Sequence, residues 1–344
     1  MSSVHVLVPP DLDDPRRPSG GNVYGRRLCR GLGESGWAVH EHAVPLVQGA
    51  LGARLGRLPD GATVLVDGLV TGASPGDVVP HATRLRLVVL LHVPRGAVCD
   101  DPDVRTGEAQ VLAAARAVVA TSAWSRQHLL GRYPLAGDRV HVAEPGVDPA
   151  PVVAGTPGGG RLLCVAALTP AKGHTVLLAA LAAVRDLPWA CDLVGSVDRD
   201  PAHARRCREL VRDLGLADRV RLMGARTGPD LEASYAGADL LVHASRSESF
   251  GMVLTEALAH GLPVVAAAGG AVAQTLGRAP DGTRPGLLVP PDDPVALARA
   301  LRRWLTDAPL RSALRASARQ RRVALPGWGT TVDRVARVLS EVAA

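Results

Sequence analysis

The chain predicts an α/β protein built from two consecutive doubly wound units, and three observations carry that prediction. Short apolar runs rich in Val, Leu and Ala alternate with segments of helical spacing, the pattern of parallel strands buried on both faces and connected by helices. The alternation pauses in a stretch rich in Pro, Gly and Ala at 149–160 and then restarts. At 344 residues there is room for two domains of ordinary size, each able to bury its own core. The expected divisions are 1–150 for the first unit, 151–326 for the second, and a helix over 327–344 that packs back on the first.

Residues 4–8 are a short apolar run bounded by prolines and read as a buried first strand. Ser19-Gly20-Gly21-Asn22-Val23-Tyr24 follows, with Leu28 and Leu32 at helical spacing until Gly33 and Gly36 break the pattern. Strand, glycine pair and helix in that order would let a phosphate approach the helix N-terminus with no Cβ in the way. By itself the pair is equally a turn. Runs at 37–44, 63–67 and 85–93 read as the next strands. His92 closes the last of them, just before Pro94, where a side chain faces the crevice at the carboxyl ends of a parallel sheet. An ordinary half-buried histidine bonded to backbone would occupy the same position. A helix over 108–116, a strand over 117–121, a helix capped by Ser122 and a strand over 140–142 complete the first unit.

The second unit begins with a strand over 161–168, after which Thr169-Pro170-Ala171-Lys172-Gly173-His174 leads into a helix over 175–185. Further strands are expected at 190–194, 220–223, 239–244, 263–267 and 286–289, and helices at 294–305, 309–321 and 331–342. Between the strands at 239–244 and 263–267 a polar loop carries Glu248 and a short helix carries Glu256. Gly261 is placed to close that helix as a left-handed cap, with Pro263 just beyond. Such a strand, loop and helix N-terminus is where open α/β sheets bind ligands. Spacing alone also allows Glu248 to be a solvated loop charge and Glu256 a favourable acid near the start of its helix. Lys172 opposes the dipole of the helix that follows it unless an anion is bound there. Gly269-Gly270-Ala271 begins the next helix after a strand and would offer further N–H groups to phosphate.

Composition narrows the function classes. A hydrophobic fraction of 47% with 21% charged residues is that of a globular chain, and no apolar run reaches a bilayer-spanning length. The start of the chain lacks a basic segment and runs into Pro9-Pro10, so no secretory signal is expected and cytoplasmic residence follows, with weak peripheral membrane contact as a second expectation. Cys29, Cys99, Cys164, Cys191 and Cys207 lack paired metal spacing and read as reduced core residues, with no metal site expected. The net charge of +6 favours an anionic ligand. Its arginines are spread over helices without interleaved aromatics, so nucleic-acid binding is not expected.

Glu248-Ser249-Phe250-Gly251, then Glu256-Ala257-Leu258-Ala259-His260-Gly261-Leu262-Pro263, resembles the glutamate–seven residues–glutamate signature of the family 4 retaining glycosyltransferases, the glycosyl transferases group 1. The resemblance covers nearly the whole chain, strongly over 161–305 and loosely before it. It implies the GT-B fold, two Rossmann-like domains facing each other across a cleft, with the acceptor side on the first and the nucleotide sugar on the second. It further implies a hexosyltransferase that moves a sugar from a nucleotide-diphosphate donor with retention, by same-face attack assisted by the donor phosphate, without metal or cofactor. The implied roles place Glu248 beside the donor sugar, Glu256 on the ribose, Lys172 with Gly173 on the leaving diphosphate, and His92 on the sugar. Gly20 and Gly21 face the donor, and Ser249, Phe250 and Gly251 complete its loop. The acceptor, whether lipid, glycan or small molecule, is not readable. One departure matters: Ala166 and Ala167 stand where the family usually has an arginine, with Arg95, Arg246 and His174 as candidate substitutes. That absence leaves open a non-catalytic GT-B nucleotide-binding partner, and the fold leaves open an epimerase or phosphorylase.

Overall fold

Alternate side chains of a parallel strand point to opposite faces, so a strand that is apolar throughout must be covered on both sides. The computed structural model, which describes residues 2–344, meets this requirement twice. In the first sheet β1 (Ser3–Val8), β2 (Ala38–Ala43), β3 (Thr63–Asp67), β4 (Arg86–Leu91), β5 (Ala117–Ala120) and β6 (Val140–Val142) run parallel in the order β2-β1-β3-β4-β5-β6. In the second, β7 (Arg161–Val165), β8 (Ala190–Val194), β9 (Val220–Gly224), β10 (Leu240–His243), β11 (Val264–Ala267) and β12 (Gly286–Val289) take the order β12-β11-β10-β7-β8-β9. Leu65, Val88 and Val119 pack into one core of the first sheet, while their neighbours Val64, Val66, Val89 and Val118 pack into the other. Leu162, Leu240 and Val242 are separated from Leu163, Leu241 and Val264 in the same way in the second.

Contacts group the chain into two compact units. One comprises residues up to 13, Gly21–Gly146 and Gly327–Ala344; the other comprises Asp14–Gly20 and Val147–Pro326. In the first unit the last helix, Trp328–Ala343, buries Val332, Val335, Val338 and Leu339 in the core that holds Val4, Val6 and Val88. Thr331 Oγ1 ties its first turn to the Glu144 carbonyl at 2.7 Å. Among the described residues no helix is long and apolar enough to cross a membrane.

Several element boundaries differ from those read off the sequence, each for a local reason. The first helix is Gly20–Glu34, so the glycine pair forms its first turn. The helix expected over 108–116 is Pro102–Ala114: Asp101 accepts a hydrogen bond from Asp103 N–H and Pro102 fills the first turn, where its missing N–H costs nothing. β7 is Arg161–Val165; Ala166 and Leu168 N–H still donate to the Val194 and Ser196 carbonyls beyond it, and Thr169 N–H then folds back on the Ala167 carbonyl at 2.8 Å, at the start of the turn that leads to Lys172.

Residues 149–160, read from composition as a linker, are fastened to the second unit. Asp239, 1% exposed at the foot of β10, accepts from Thr156 N–H, from Thr156 Oγ1 at 2.6 Å, from Arg161 N–H at 2.9 Å and from Arg315 Nη2 at 3.3 Å. One carboxylate thereby satisfies donors from the incoming segment, from β7 and from the helix Ala308–Val323. Asp239→Ala leaves these donors without a buried partner and is expected to cost roughly 3–5 kcal/mol of unfolding free energy. Urea denaturation at unchanged m-value measures it, and a loss below about 1 kcal/mol contradicts the assignment of this carboxylate as the clamp.

Candidate active site

In the second sheet β7 has β8 and β9 on one side and β10, β11 and β12 on the other, so the direction of winding reverses between β7 and β10. The loops leaving two such strands diverge and open a crevice at their carboxyl ends. Lys172 follows β7 and Glu248 follows β10, and the reversal brings these residues, 76 positions apart, together: Lys172 Nζ lies 2.7 Å from Glu248 Oε1. Arg246 N–H donates to the Ala171 carbonyl at 2.9 Å, stitching the two loops to each other.

Glycines permit this approach. Gly173, at φ 67°, caps the helix His174–Ala182, and a Cβ there would run into the Ala244 carbonyl. On the other flank Glu248 forms a parallel bridge with Gly270, and Ala271 N–H donates to the Glu248 carbonyl at 2.7 Å. A Cβ at Gly269 would collide with the Arg246 carbonyl, and one at Gly270 with that of Glu248. The 269–270 pair therefore serves chain crossing, and the Ala271 N–H that the sequence offered to phosphate is already occupied.

The Glu248 side chain is 13% exposed. Burial by itself would push its carboxyl up; the Lys172 ammonium and a hydrogen bond from His243 overcome that and hold it well below the usual carboxylate range. His243 Nε2 reaches the same Oε1 at 3.1 Å. Oε2 takes no partner among the described residues. Glu248 is thus an ionised carboxylate with one oxygen held by the protein and the other available.

Glu256 lies on the helix Met252–Ala259 and is held differently. Tyr235 O–H donates to its Oε2 at 2.6 Å, the Tyr235 ring stacks on His260 at 4.9 Å between centroids, and His260 Nε2 is 2.9 Å from Glu232 Oε2. Burial raises the Glu256 carboxyl against the opposing hydrogen bond from Tyr235. Gly261, at φ 71°, follows the helix in the left-handed conformation expected of it. The Phe250 ring is 7% exposed and its carbonyl accepts from Thr275 Oγ1 at 2.6 Å, so its side chain belongs to the core. Gly251 caps the Glu256 helix at φ 89°, and Ser249 completes the loop between.

The remaining candidates lie at the strand ends of the first sheet. A Cβ on Gly21 would meet the His92 ring at 3.3 Å, and Tyr24 meets that ring edge-on at 5.1 Å between centroids. His92 Nε2 is 3.3 Å from Asp67 Oδ2, which comes from the end of β3. Gly20 opens the first helix immediately before Gly21. A cavity of about 200 Å³ in the same unit is lined by Thr71, Leu91, Arg95 and Val104. Glu108 at its edge is saturated by Arg95 N–H, Gly96 N–H and Tyr133 O–H.

Sequence reasoning missed His243 and Tyr235. His243 carried a usable signal, an ionisable residue at the carboxyl end of an apolar run, which is the argument that singled out His92. Tyr235 carried none, since its partner Glu256 is 21 residues away on another helix.

A sequence profile of the glycosyl transferases group 1 matches residues 156–321. D-inositol 3-phosphate glycosyltransferase 1 of Catenulispora acidiphila is 33% identical over 330 residues, an alignment covering 87% of this chain and 77% of that protein. The chain belongs to the glycosyl transferases group 1 family. A second group 1 relative, the D-inositol 3-phosphate glycosyltransferase of Salinispora tropica, is 37% identical over 269 residues, covering 71% of this chain and 55% of the relative; the chain thus spans little more than half of that protein's length. Among solved structures, sucrose-phosphate synthase from Thermosynechococcus elongatus superposes with a TM-score of 0.81 over 99% of both chains at 22% identity. The two parallel sheets are those of the GT-B fold.

For the missing group 1 arginine, two of the three candidate substitutes are paired elsewhere: Arg246 Nε is 2.8 Å from Asp292, and Arg95 Nη1 donates to the Gly72 carbonyl. The third, His174, is overturned as a cation. It has no exposed surface, and burial with His203, His243 and Lys172 nearby lowers its pKa to about 4. Because the folded value lies below the ordinary 6.5, its stability contribution is complete above pH 6.5. As pH falls from 6.5 toward 4, the unfolded chain binds a proton that the native chain refuses, and stability is lost. The urea midpoint is expected to fall through this window, and less steeply in His174→Leu; equal slopes in the two proteins would contradict the buried neutral imidazole.

Proposed function

We propose that this chain is a metal-independent retaining glycosyltransferase that takes its sugar from a nucleotide-diphosphate donor. The observation that carries the reading is the juxtaposition of Lys172 with an ionised Glu248 at the point where the second sheet reverses its winding. Breaking a glycosyl–phosphate bond builds positive charge on the sugar and negative charge on the departing diphosphate. Lys172, on the turn Pro170–Lys172, is the cation for the diphosphate, assisted by the N–H groups at the start of the helix His174–Ala182. Glu248 Oε2 accepts from a sugar hydroxyl and orients the donor. Glu256 accepts from the ribose hydroxyls through Oε1, its other oxygen being held by Tyr235. Gly173 and the Ser249-Phe250-Gly251 loop contribute backbone contacts, and Lys172 with the helix N-terminus supplies the positive charge that other transferases take from a metal. No cofactor is required beyond the donor itself.

To the first unit we assign the acceptor side, and to Gly20, Gly21 and His92 the contacts with the donor that the motif resemblance implies. The names of the Catenulispora and Salinispora relatives support an inositol phosphate as acceptor, and the net charge of +6 suits an anionic one. Cytoplasmic residence, with at most weak peripheral membrane contact, belongs to the same reading. A second reading, a protein that binds the nucleotide without transferring sugar, is favoured by Ala166 and Ala167 at the arginine position.

A thermal-shift screen of UDP-, GDP- and ADP-sugars identifies the donor, since a true ligand stabilises the folded state by mass action. With that donor, Lys172→Ala is expected to lower kcat by roughly 10²–10³-fold, as for other preorganised electrostatic groups. Glu248→Gln should lower kcat while nucleotide Kd is retained, and Glu256→Gln should weaken Kd. The product formed in excess chelator should keep the anomeric configuration of the donor by proton NMR. Wild-type turnover in both Lys172→Ala and Glu248→Gln overturns the site. An inverted product overturns retention, and binding without transfer establishes the second reading.

A further inference from the structure

β10 consists of Leu240, Leu241 and Val242, fully buried, and ends on His243, which is 2% exposed. The strand is paired on both sides, to β7 through Leu240 and Leu241 and to β11 with His243 opposite Ala266, so the imidazole is carried on a rigid element. A carboxylate can only accept, and His243 Nε2 stands 3.1 Å from Glu248 Oε1; Nε2 therefore carries the hydrogen. Lys172 Nζ shares that oxygen at 2.7 Å. His174, at the head of the helix that follows Lys172, is a further titratable neighbour.

This sharing resolves a conflict in the demands on Lys172. Paired with Glu248 it forms a neutral unit, yet its proposed partner is the incoming diphosphate. Were Lys172 alone in holding Glu248, its turning to the diphosphate would leave a buried carboxylate without a partner when that carboxylate must orient the sugar. We propose that His243 is a positioning residue whose Nε2–H holds Glu248 Oε1 from the strand, so that Lys172 can turn to the diphosphate while Oε2 stays aimed at the sugar. The proposal rests on the reading of this site as the donor site. It also accounts for a function of the second donor on Oε1 that Lys172 alone cannot fulfil.

Two measurements on the full chain test it. In ¹⁵N-imidazole NMR the His243 signal, assigned by its loss in His243→Leu, is expected to show the Nε2–H tautomer both in the wild type and in Lys172→Met. An Nδ1–H tautomer, or averaging between the two once Lys172 is removed, overturns the proposal. With the donor identified by thermal shift, His243→Leu should lower kcat about tenfold or more, the size of one hydrogen bond to a charged group, with the Kd of the matching nucleoside diphosphate within about twofold. His243→Gln, which can place an N–H near the Nε2 position, should restore most of the rate. Wild-type kcat in His243→Leu, or a folded His243→Gln no faster than His243→Leu, overturns it. Should no nucleotide sugar bind the wild type, the transferase reading fails and the tautomer measurement alone decides the role of His243.

Discussion

The ion pair between Lys172 and Glu248 is the interaction around which the second unit is arranged. Two opposite charges removed from water recover their hydration only when geometry is close and further hydrogen bonds satisfy them. Here the separation is 2.7 Å and His243 supplies the additional donor. Each requirement reaches back into the sequence. The chain must reverse its winding between β7 and β10 for the two loops to meet, and Gly173, Gly269 and Gly270 must lack a Cβ where backbone carbonyls pass. Asp239, at the opposite end of β10 from His243, fastens the entering segment to the same central strand.

The two glutamates of the motif have opposite electrostatic environments. Cationic and hydrogen-bonding partners hold Glu248 ionised, whereas burial raises Glu256, which has a neutral phenol as its direct donor. An ionised group with one free oxygen suits the place where charge develops. A group held against ionisation by burial suits one that gains hydrogen-bond donors when ligand arrives, since each hydroxyl on its carboxylate favours the charged form. Position in the motif and electrostatic character therefore separate the proposed sugar and ribose roles by different physical routes.

Much of the fold was legible because strands buried on both faces must be apolar throughout. The runs containing β8, β10, β11 and β12 fall within one or two residues of their observed limits. Helix starts were less legible where the cap lay inside a polar stretch, as at Asp101-Pro102, and the six-residue helices Ala50–Leu55 and Gly68–Ala73 are too short to show a period. Lys172 and Glu248 were legible one by one, from strand ends, helix starts and motif. Their contact was not, because it depends on sheet order, which brings together residues 76 positions apart. His243 was passed over because a single histidine in an apolar run reads as core until its neighbour across the loop is known.

The most direct test of the central claim is a crystal structure of the chain with its nucleotide-diphosphate sugar bound. The diphosphate should lie within ion-pair distance of Lys172 Nζ, and a sugar hydroxyl should donate to Glu248 Oε2 while His243 Nε2 remains on Oε1. A donor bound with its diphosphate away from Lys172, or an intact Lys172–Glu248 pair with the sugar elsewhere, would contradict the account.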